Sequence, residues 1–492
     1  MNISKRLIHR LKNTLYLLIS ALFMTGCMVG PDFVRPQPPA VSRYTHEKEA
    51  QKTVTAAGET QRFEIGEKIA GDWWLLFKSE ELDAVVRKAV EGNPSLQAAV
   101  WTMKQSRDNL RAGYGVFFPQ VDGNFGVSRE KFSPAQFGGG NFIKSSTFDL
   151  YTLAGTVSYT LDIFGGQRRQ VESLAAQAQY EEQTARAAYL TLVGNVVNAA
   201  IAASAYRAEI AATRRIIAFQ KNQVDITQSQ AEGGTVPYSN VLAVRTQLEA
   251  TRASLPPLQN NLSQSEHLLT ALLGKLPQEW TPPKLDLAQI SLPAQIPVTL
   301  PCELVRSRPD ILAAEAQLHS ASANIGTATA ALLPNLTLSG NIGQNSTNIT
   351  NLFETSAGFW SLAANAAAPI FHGGTLWFER RAAIDAYKTS LYNYRQVVVS
   401  AFQQVANYLR ALEFDAQALK ANADSLATAT ENLKLVSANY GAGIANYLQL
   451  LSADTQYQQA KMGFIEARAL RLQDTAALFT ALGGVSWSPP RE

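Results

Sequence analysis

The chain has 492 residues, 46% of them apolar, and its 43 basic and 40 acidic side chains leave a formal net charge of +3. The length allows several domains, and the near balance of charge lacks the strongly basic footprint of a nucleic-acid binder. The five histidines are scattered, and no HExxH, nucleophile elbow, phosphate loop or metal-spaced cysteine set occurs, so neither an enzyme nor a bound cofactor or metal is expected.

The chain opens with a basic leader, Lys5, Arg6, His9, Arg10 and Lys12, and an apolar run from Leu15 to Met24. Thr25, Gly26 and Cys27 follow. A charged start, a short apolar centre and small residues at the cut site describe a secretory signal over 1–26. A run of about ten apolar residues is too short to span a bilayer as a helix. The cysteine after small residues resembles a bacterial lipobox. That resemblance implies cleavage before Cys27, acylation of Cys27 with palmitate among its lipids, and, through the non-aspartate Met28, sorting to the outer membrane. With Cys27 lipidated, Cys302 has no disulfide partner and stability rests on packing. Cys302 itself reads as a buried or half-exposed thiol without chemistry. Residues 27–70 are polar and proline-spotted and read as an extended arm with little regular structure. The most apolar later stretch, Ala187 to Tyr206, holds Asn195, Asn198 and Ser204 and reads as a buried helix. Any further membrane crossing must then use strands.

An internal duplication organises the rest. Asn93-Pro94 opens a helical pattern that ends at Phe118-Pro119, and Arg308-Pro309 opens one that ends at Leu333-Pro334, with the same spacing of 25 residues between prolines. Alternating segments follow, in strand pairs at about 119–164 and 334–371. They end in Ile163-Phe164-Gly165-Gly166 and Ile370-Phe371-His372-Gly373-Gly374. Long helical stretches come next, each interrupted by glycines (Gly233-Gly234 and Gly441-Ala442-Gly443) and each resuming until Gly274 or Gly483-Gly484. The spacing therefore predicts two tandem repeats, 71–275 and 301–484, each reading helix, strand, loop, strand, long helix, turn, helix. A proline-rich linker joins them at 276–300, and a short tail follows at 485–492.

In the second long helix Tyr387, Leu391, Tyr394, Val398, Ala401, Val405, Tyr408 and Leu412 step alternately by four and three, a coiled-coil period. From Thr375 to Tyr440 it would measure roughly 95 Å. In the second strand Tyr151, Leu153, Gly155, Val157, Tyr159, Leu161 and Ile163 share one face, while Thr152, Ala154, Thr156, Ser158, Thr160 and Asp162 share the other. One side suits lipid and the opposite side suits water, with the tyrosines placed for membrane interfaces. Four strands cannot close a barrel, and a free edge in hydrocarbon costs several kcal/mol per unpaired group. Several chains must share one barrel; two would make a filled eight-stranded one, and three would make twelve strands with room for a channel. The polar loop that carries Phe132, Phe137 and Gly138-Gly139-Gly140 would face outward. A soluble helix bundle and a pore-free coiled-coil lipoprotein are the alternatives that the strands disfavour.

Leu300-Pro301-Cys302-Glu303-Leu304, then Arg308-Pro309-Asp310-Ile311 with Ala313-Ala314-Glu315, resembles the second-repeat start of the outer-membrane factors. Gly26-Cys27-Met28-Val29-Gly30-Pro31-Asp32-Phe33 with Arg35-Pro36, and Gly71-Asp72-Trp73-Trp74 with Phe77, are similar to the same family. These are TolC-like exit ducts of tripartite efflux pumps, here of the acylated OprM-like or NodT-like branch, and the similarity spans nearly the whole chain. It implies a mixed α and β membrane protein, a homotrimer with four strands per chain in a twelve-stranded transmembrane β-barrel. The barrel would be continuous with a long periplasmic α-helical coiled-coil barrel. The implied function is passive export of small molecules through a gated channel, with a periplasmic adaptor (membrane fusion) protein and an inner-membrane pump of the resistance-nodulation-division type as partners. Type I protein secretion is the alternative. The substrate is not legible.

The family's gate lies at the helix-hairpin tips, where the adaptor also docks. The matching tips here are Gly233, Gly234, Thr235, Val236 and Pro237, and Gly441, Gly443 and Ile444. Tyr440 matches the family's gate tyrosine. Where the family often carries aspartates, this chain has Asn240, Gln449 and Ser452, all neutral. Asp454, about 200° around the helix from Ser452, cannot replace them. The expectation is a gate held by neutral hydrogen bonds and by packing through Tyr440, Leu448 and Leu451, with Arg245 solvated or paired to a neighbouring carboxylate.

Overall fold

The computed structural model describes residues 28–47, 50–132, 146–484 and 487. The signal, Cys27, Phe137 with the Gly138–Gly140 run, and most of the 485–492 tail lie outside the described residues. Chain contacts divide the molecule into two units, one with residues up to 35, 104–179 and 315–393, the other with 36–103, 180–314 and the residues from 394 onward.

The first unit is built on an antiparallel sheet of four strands, β2 (Gln120–Phe132), β3 (Ser146–Leu161), β5 (Asn335–Ser346) and β6 (Gly358–Ala367), in the order β2-β3-β5-β6. Each prolyl residue before β2 and β5 ends the preceding helix and starts the extended chain, as the missing N–H requires. Register aligns the alternation of all four strands. Val121 faces Val157, Phe125 faces Leu153, Tyr159 faces Leu338 and Ile342 faces Trp360, all on one side. The opposite side pairs Asp122 with Thr156, Ser158 with Ser339 and Asn341 with Ser361. The apolar side is exposed, with Val121 72%, Trp360 73% and Leu362 80% accessible, and Asp122 and Ser361 on the polar side are exposed as well. The sheet is tight where glycine permits it, since a Cβ on Gly343 would lie 2.3 Å from the carbonyl oxygen of Leu153.

The second unit is helical: α1 (Glu80–Gly92), the first part of α2 (Pro94–Gly113), most of α3 (Gly166–Glu232), α4 (Tyr238–Leu272), α5 (Pro301–Ser307), the start of α6 (Pro309–Ala330), most of α7 (Thr375–Gly441) and α8 (Tyr447–Leu482). The long helices α3 and α7 have 67 residues each, which makes each about 100 Å long. α1 shows why such segments form. Ser79 caps it by accepting from the Leu82 N–H, Glu80, Glu81 and Asp83 sit in its first turn, and Leu82, Val85, Val86 and Ala89 bury one face. Side-chain capping and acids at the positive helix end contribute about 1 kcal/mol each. Trp73, Phe77 and Phe479 close the core there, with ring centroids 5.6–6.4 Å apart. Ala200 and Ala203 are fully buried on α3, letting neighbouring backbones approach. The apolar stretch of α3 is 67% buried, a packed core helix.

The arm and the linker are more ordered than their composition suggests. β1 (Arg62–Ile65) pairs in parallel with β4 (Gln295–Val298), joining the two segments. Four residues carry too short a pattern to announce a strand, and the partner lies far along the chain. Beside it, Gln61 and Thr53 of the arm accept from the buried Arg471 guanidinium at 3.1 and 3.0 Å, and Gln61 donates to Thr475 at 3.1 Å. Cys302, expected buried or half-exposed, is an exposed free thiol in the first turn of α5.

Candidate functional site

The two hairpin tips lie in the helical unit. At the first, the Thr235 N–H and hydroxyl both donate to the Gln230 carbonyl, at 2.9 and 2.8 Å, and Gly234 takes the left-handed φ of +71° that the reversal demands. At the second, Gly443 has φ +76° and the Ile444 N–H reaches the Asn439 carbonyl at 2.8 Å. α8 then starts with a reciprocal cap. Asn446 accepts from the Gln449 N–H at 3.0 Å and the Gln449 amide oxygen accepts from the Asn446 N–H at 2.9 Å. Gly233, Gly234, Thr235, Pro237, Gly441, Gly443 and Ile444 are exposed, and Val236 is half-buried.

The gate candidates separate into an inner and an outer set. Tyr440 is buried, and its hydroxyl donates to Gln230 Oε1 at 2.7 Å with Thr227 Oγ1 at 3.4 Å. It therefore ties the end of α7 to the last turns of α3. Around it pack Val224, Val244, Leu248, Tyr447 and Leu450, with Leu451 at the margin. Leu448, at 70% accessible, points away from this cluster. Gln449 and Ser452 are exposed, Asn240 is half-buried, and Gln449 is committed to its cap. Arg245 is exposed. Sequence reasoning missed Gln230 and Thr227, because hydrogen bonds across 210 and 213 positions leave no local signal, and it missed Tyr447, which joins by packing.

Burial sets the proton affinity of the acids near this bundle. Asp454 accepts from Gln220 and Gln458, both at 2.7 Å, yet its second oxygen has no partner. Burial pushes its carboxyl up against the lowering effect of those two amides. Asp415 is pushed up to about 7, first by burial and then by the adjacent Asp474. Glu209 is likewise raised to about 7 by burial, with Glu466 adding repulsion. Burial and the neighbours Tyr440 and Asp454 raise Tyr447 to about 12, so its phenol is neutral. Among the described residues no three His, Cys, Asp or Glu side chains gather to hold a metal ion.

In the sheet unit the arm next to Cys27 is held by Arg169. This guanidinium, 1% exposed, donates to the carbonyls of Val29 and Gly30 and forms ion pairs with Asp32 at 2.6 Å and Glu172 at 2.7 Å. The Val29 N–H donates to the Phe164 carbonyl at 3.0 Å. Gly30 crosses α6 so closely, at φ +88°, that a Cβ would lie 2.4 Å from the Gly326 Cα. Phe33 stacks on His319 at 4.4 Å, and Arg35 pairs with Glu315 at 2.5 Å.

A sheet with one apolar and one polar face, together with paired long helices joined by hairpin tips, is the architecture expected of an outer-membrane duct. Two segments of the chain, residues 85–275 and 300–484, match the family model described as "Outer membrane efflux protein". The chain belongs to that family. It is 27% identical to the toluene efflux pump outer membrane protein TtgC of Pseudomonas putida, over 96% of each chain. It is 27% identical to the cation efflux system protein CusC of Escherichia coli K12, over 94% of this chain and 97% of that one. Among solved structures, the outer-membrane channel OprN superposes with a TM-score of 0.84 at 25% identity, covering 94% of this chain and all of the other. The open-state MtrE channel of Neisseria gonorrhoeae gives 0.79 at 25% identity, covering 93% and 98%. The chain is accordingly an outer-membrane efflux protein, and the fold is that of the channel structures.

Proposed function

We propose that three copies of this chain share one twelve-stranded barrel through the outer membrane, with the helical units forming a periplasmic conduit. The observation that carries this is the four-stranded sheet, in which β2 and β6 each pair on one side only and one face is apolar and exposed while the other is polar. In hydrocarbon those edges must find partners, and copies of the same strands are the partners always at hand. The polar face then lines the channel. Small molecules pass through it passively, delivered by an inner-membrane pump of the resistance-nodulation-division type and a periplasmic adaptor. The exposed tips at Gly233–Pro237 and at Gly441, Gly443 and Ile444 suit adaptor contact. The efflux names of the relatives support export of small molecules over type I protein secretion. One relative is named for toluene and another for cations, so the relatives do not single out a substrate.

In this reading Cys27, which follows the apolar leader and Thr25-Gly26, carries the lipid anchor, and Arg169 clamps the chain behind it. The gate lies at the tips. Tyr440 keeps it shut by locking α7 onto α3 through Gln230 from inside the bundle, while the exposed Leu448 and Ser452 face the space where other copies would meet them. No catalytic step is required of a duct. The test is single-channel conductance of the purified protein in planar bilayers. Wild type should open rarely, and Tyr440→Ala should open more often or more widely. Absence of channels, or identical conductance in the variant, contradicts the duct or the gate respectively.

A further inference from the structure

The helical unit contains a groove of about 960 Å³ between residues 204–219 of α3, 430–438 of α7 and 454–468 of α8, bordered by linker residues 285–288. That volume is at the upper end of small-molecule sites. Its lining combines two features that rarely meet on a plain helical surface. Ile216 and Ile465 are buried beneath it, and Phe219, Leu433 and Phe464 flank them half-buried. Five cationic side chains also line it: Arg207, Arg215, Lys434, Lys461 and Arg468.

The charge is poorly compensated from within. Arg207 pairs with Glu266 at 2.7 Å, but its Nη1 is buried without a hydrogen-bond partner. Arg468 makes one long contact, 3.5 Å to the Ala288 carbonyl. The acids on the lining are Asp286, whose side chain accepts from the Ala288 N–H, and Asp454, which is turned to Gln220 and Gln458. An inorganic anion would answer the cations and leave the apolar floor wet. A neutral apolar molecule would cover the floor and strip water from the cations, a cost without return. A molecule with both parts meets both demands.

We propose that this groove binds an anionic amphiphile, of the fatty-carboxylate or aromatic-sulfonate class. Its acid group sits among Arg215, Lys434 and Lys461, and its apolar body lies over Ile216, Phe219 and Leu433. The inference goes beyond the duct reading and does not rest on it. Bound there, one molecule touches α3, α7 and α8 together.

The experiment uses the full-length protein in nanodiscs of zwitterionic lipid and dansyl-labelled undecanoate as the probe, with lipid-only nanodiscs as the blank. Saturable emission enhancement is expected, displaced by dodecanoate and at least about tenfold less well by dodecanol or dodecyltrimethylammonium. Arg215 and Lys434 are exposed, so the double variant Arg215→Glu with Lys434→Glu should keep the wild-type oligomer while binding the probe at least about tenfold more weakly. No saturable binding, equal displacement by the cationic amphiphile, or unchanged affinity in the variant overturns the proposal. Binding only to dissociated chains also overturns it, because a second copy would then be what covers the groove.

Discussion

Replacing Arg169 with alanine should release the arm that follows Cys27 without unfolding either unit. The side chain is 1% exposed and has four acceptors: the carbonyls of Val29 at 3.2 Å and Gly30 at 3.4 Å, and the carboxylates of Asp32 at 2.6 Å and Glu172 at 2.7 Å. Their contributions differ. Asp32 is 86% exposed and regains water on truncation, so that pair is worth at most about 1 kcal/mol. Glu172 is partly screened and keeps His319 at 2.9 Å. The two carbonyls each lose a charged donor, about 1 kcal/mol apiece when partly hydrated. The total, discounted for that hydration, is about 2–3 kcal/mol, or roughly 30- to 150-fold in the docking equilibrium. The assay is hydrogen exchange at the Val29 amide, which donates to Phe164. Its exchange should accelerate by that factor in Arg169→Ala and by less in Arg169→Lys, which keeps the charge but not the fork. Unchanged protection at Val29, with the oligomer intact, would refute the clamp.

Leu362→Arg places a charge on the apolar face of β6 and should lose about 2–4 kcal/mol and its membrane assembly. Ser361→Arg, on the polar face, should assemble normally and shift ion selectivity; heat-resistance of the oligomer on gels and bilayer selectivity read the two. Tyr440→Phe removes only the hydroxyl that donates to Gln230 and should cost about 1 kcal/mol, seen as more frequent channel opening with unchanged oligomer stability; a silent variant would move the gate elsewhere. The Asp415 carboxyl has its folded affinity raised from 3.8 to about 7, by burial first and then by Asp474. Its stabilising contribution is therefore complete below about pH 4 and is lost as pH rises to 7. Denaturation midpoints across that window should fall for wild type and fall less steeply for Asp415→Asn, Glu209 keeping part of the slope; parallel curves would show that Asp415 does not contribute to it.

The parts of the fold legible in sequence are those whose signal is periodic and local. Val398, Ala401 and Val405 keep one face of α7 buried because the four-three step holds them there. The alternation from Tyr151 to Leu161 reads correctly because strand faces repeat every two residues. Pro119 and Pro334 marked the turn into strands for the reason that a ring nitrogen ends a helix. What sequence did not reveal depends on distant partners. Arg169 stands beside Arg168 with nothing local to single it out, and only the fold brings Val29, Gly30 and Asp32 to it. β1 and β4 recognise each other across the whole first repeat. Among the gate candidates, residue type alone could not tell that Gln449 is used to cap α8 or that Tyr440 turns inward to Gln230. Spacing could have suggested the cap, since Asn446 and Gln449 stand three apart at a helix start.

In the proposed trimer the sheet of one chain is incomplete and is finished by other copies. Native mass spectrometry of the protein extracted from outer membranes in a mild detergent tests it most directly. A shared barrel should give a particle of three chains that persists until the detergent or heat disrupts the sheet. A folded particle of one chain, with its sheet edges stable alone, would contradict it.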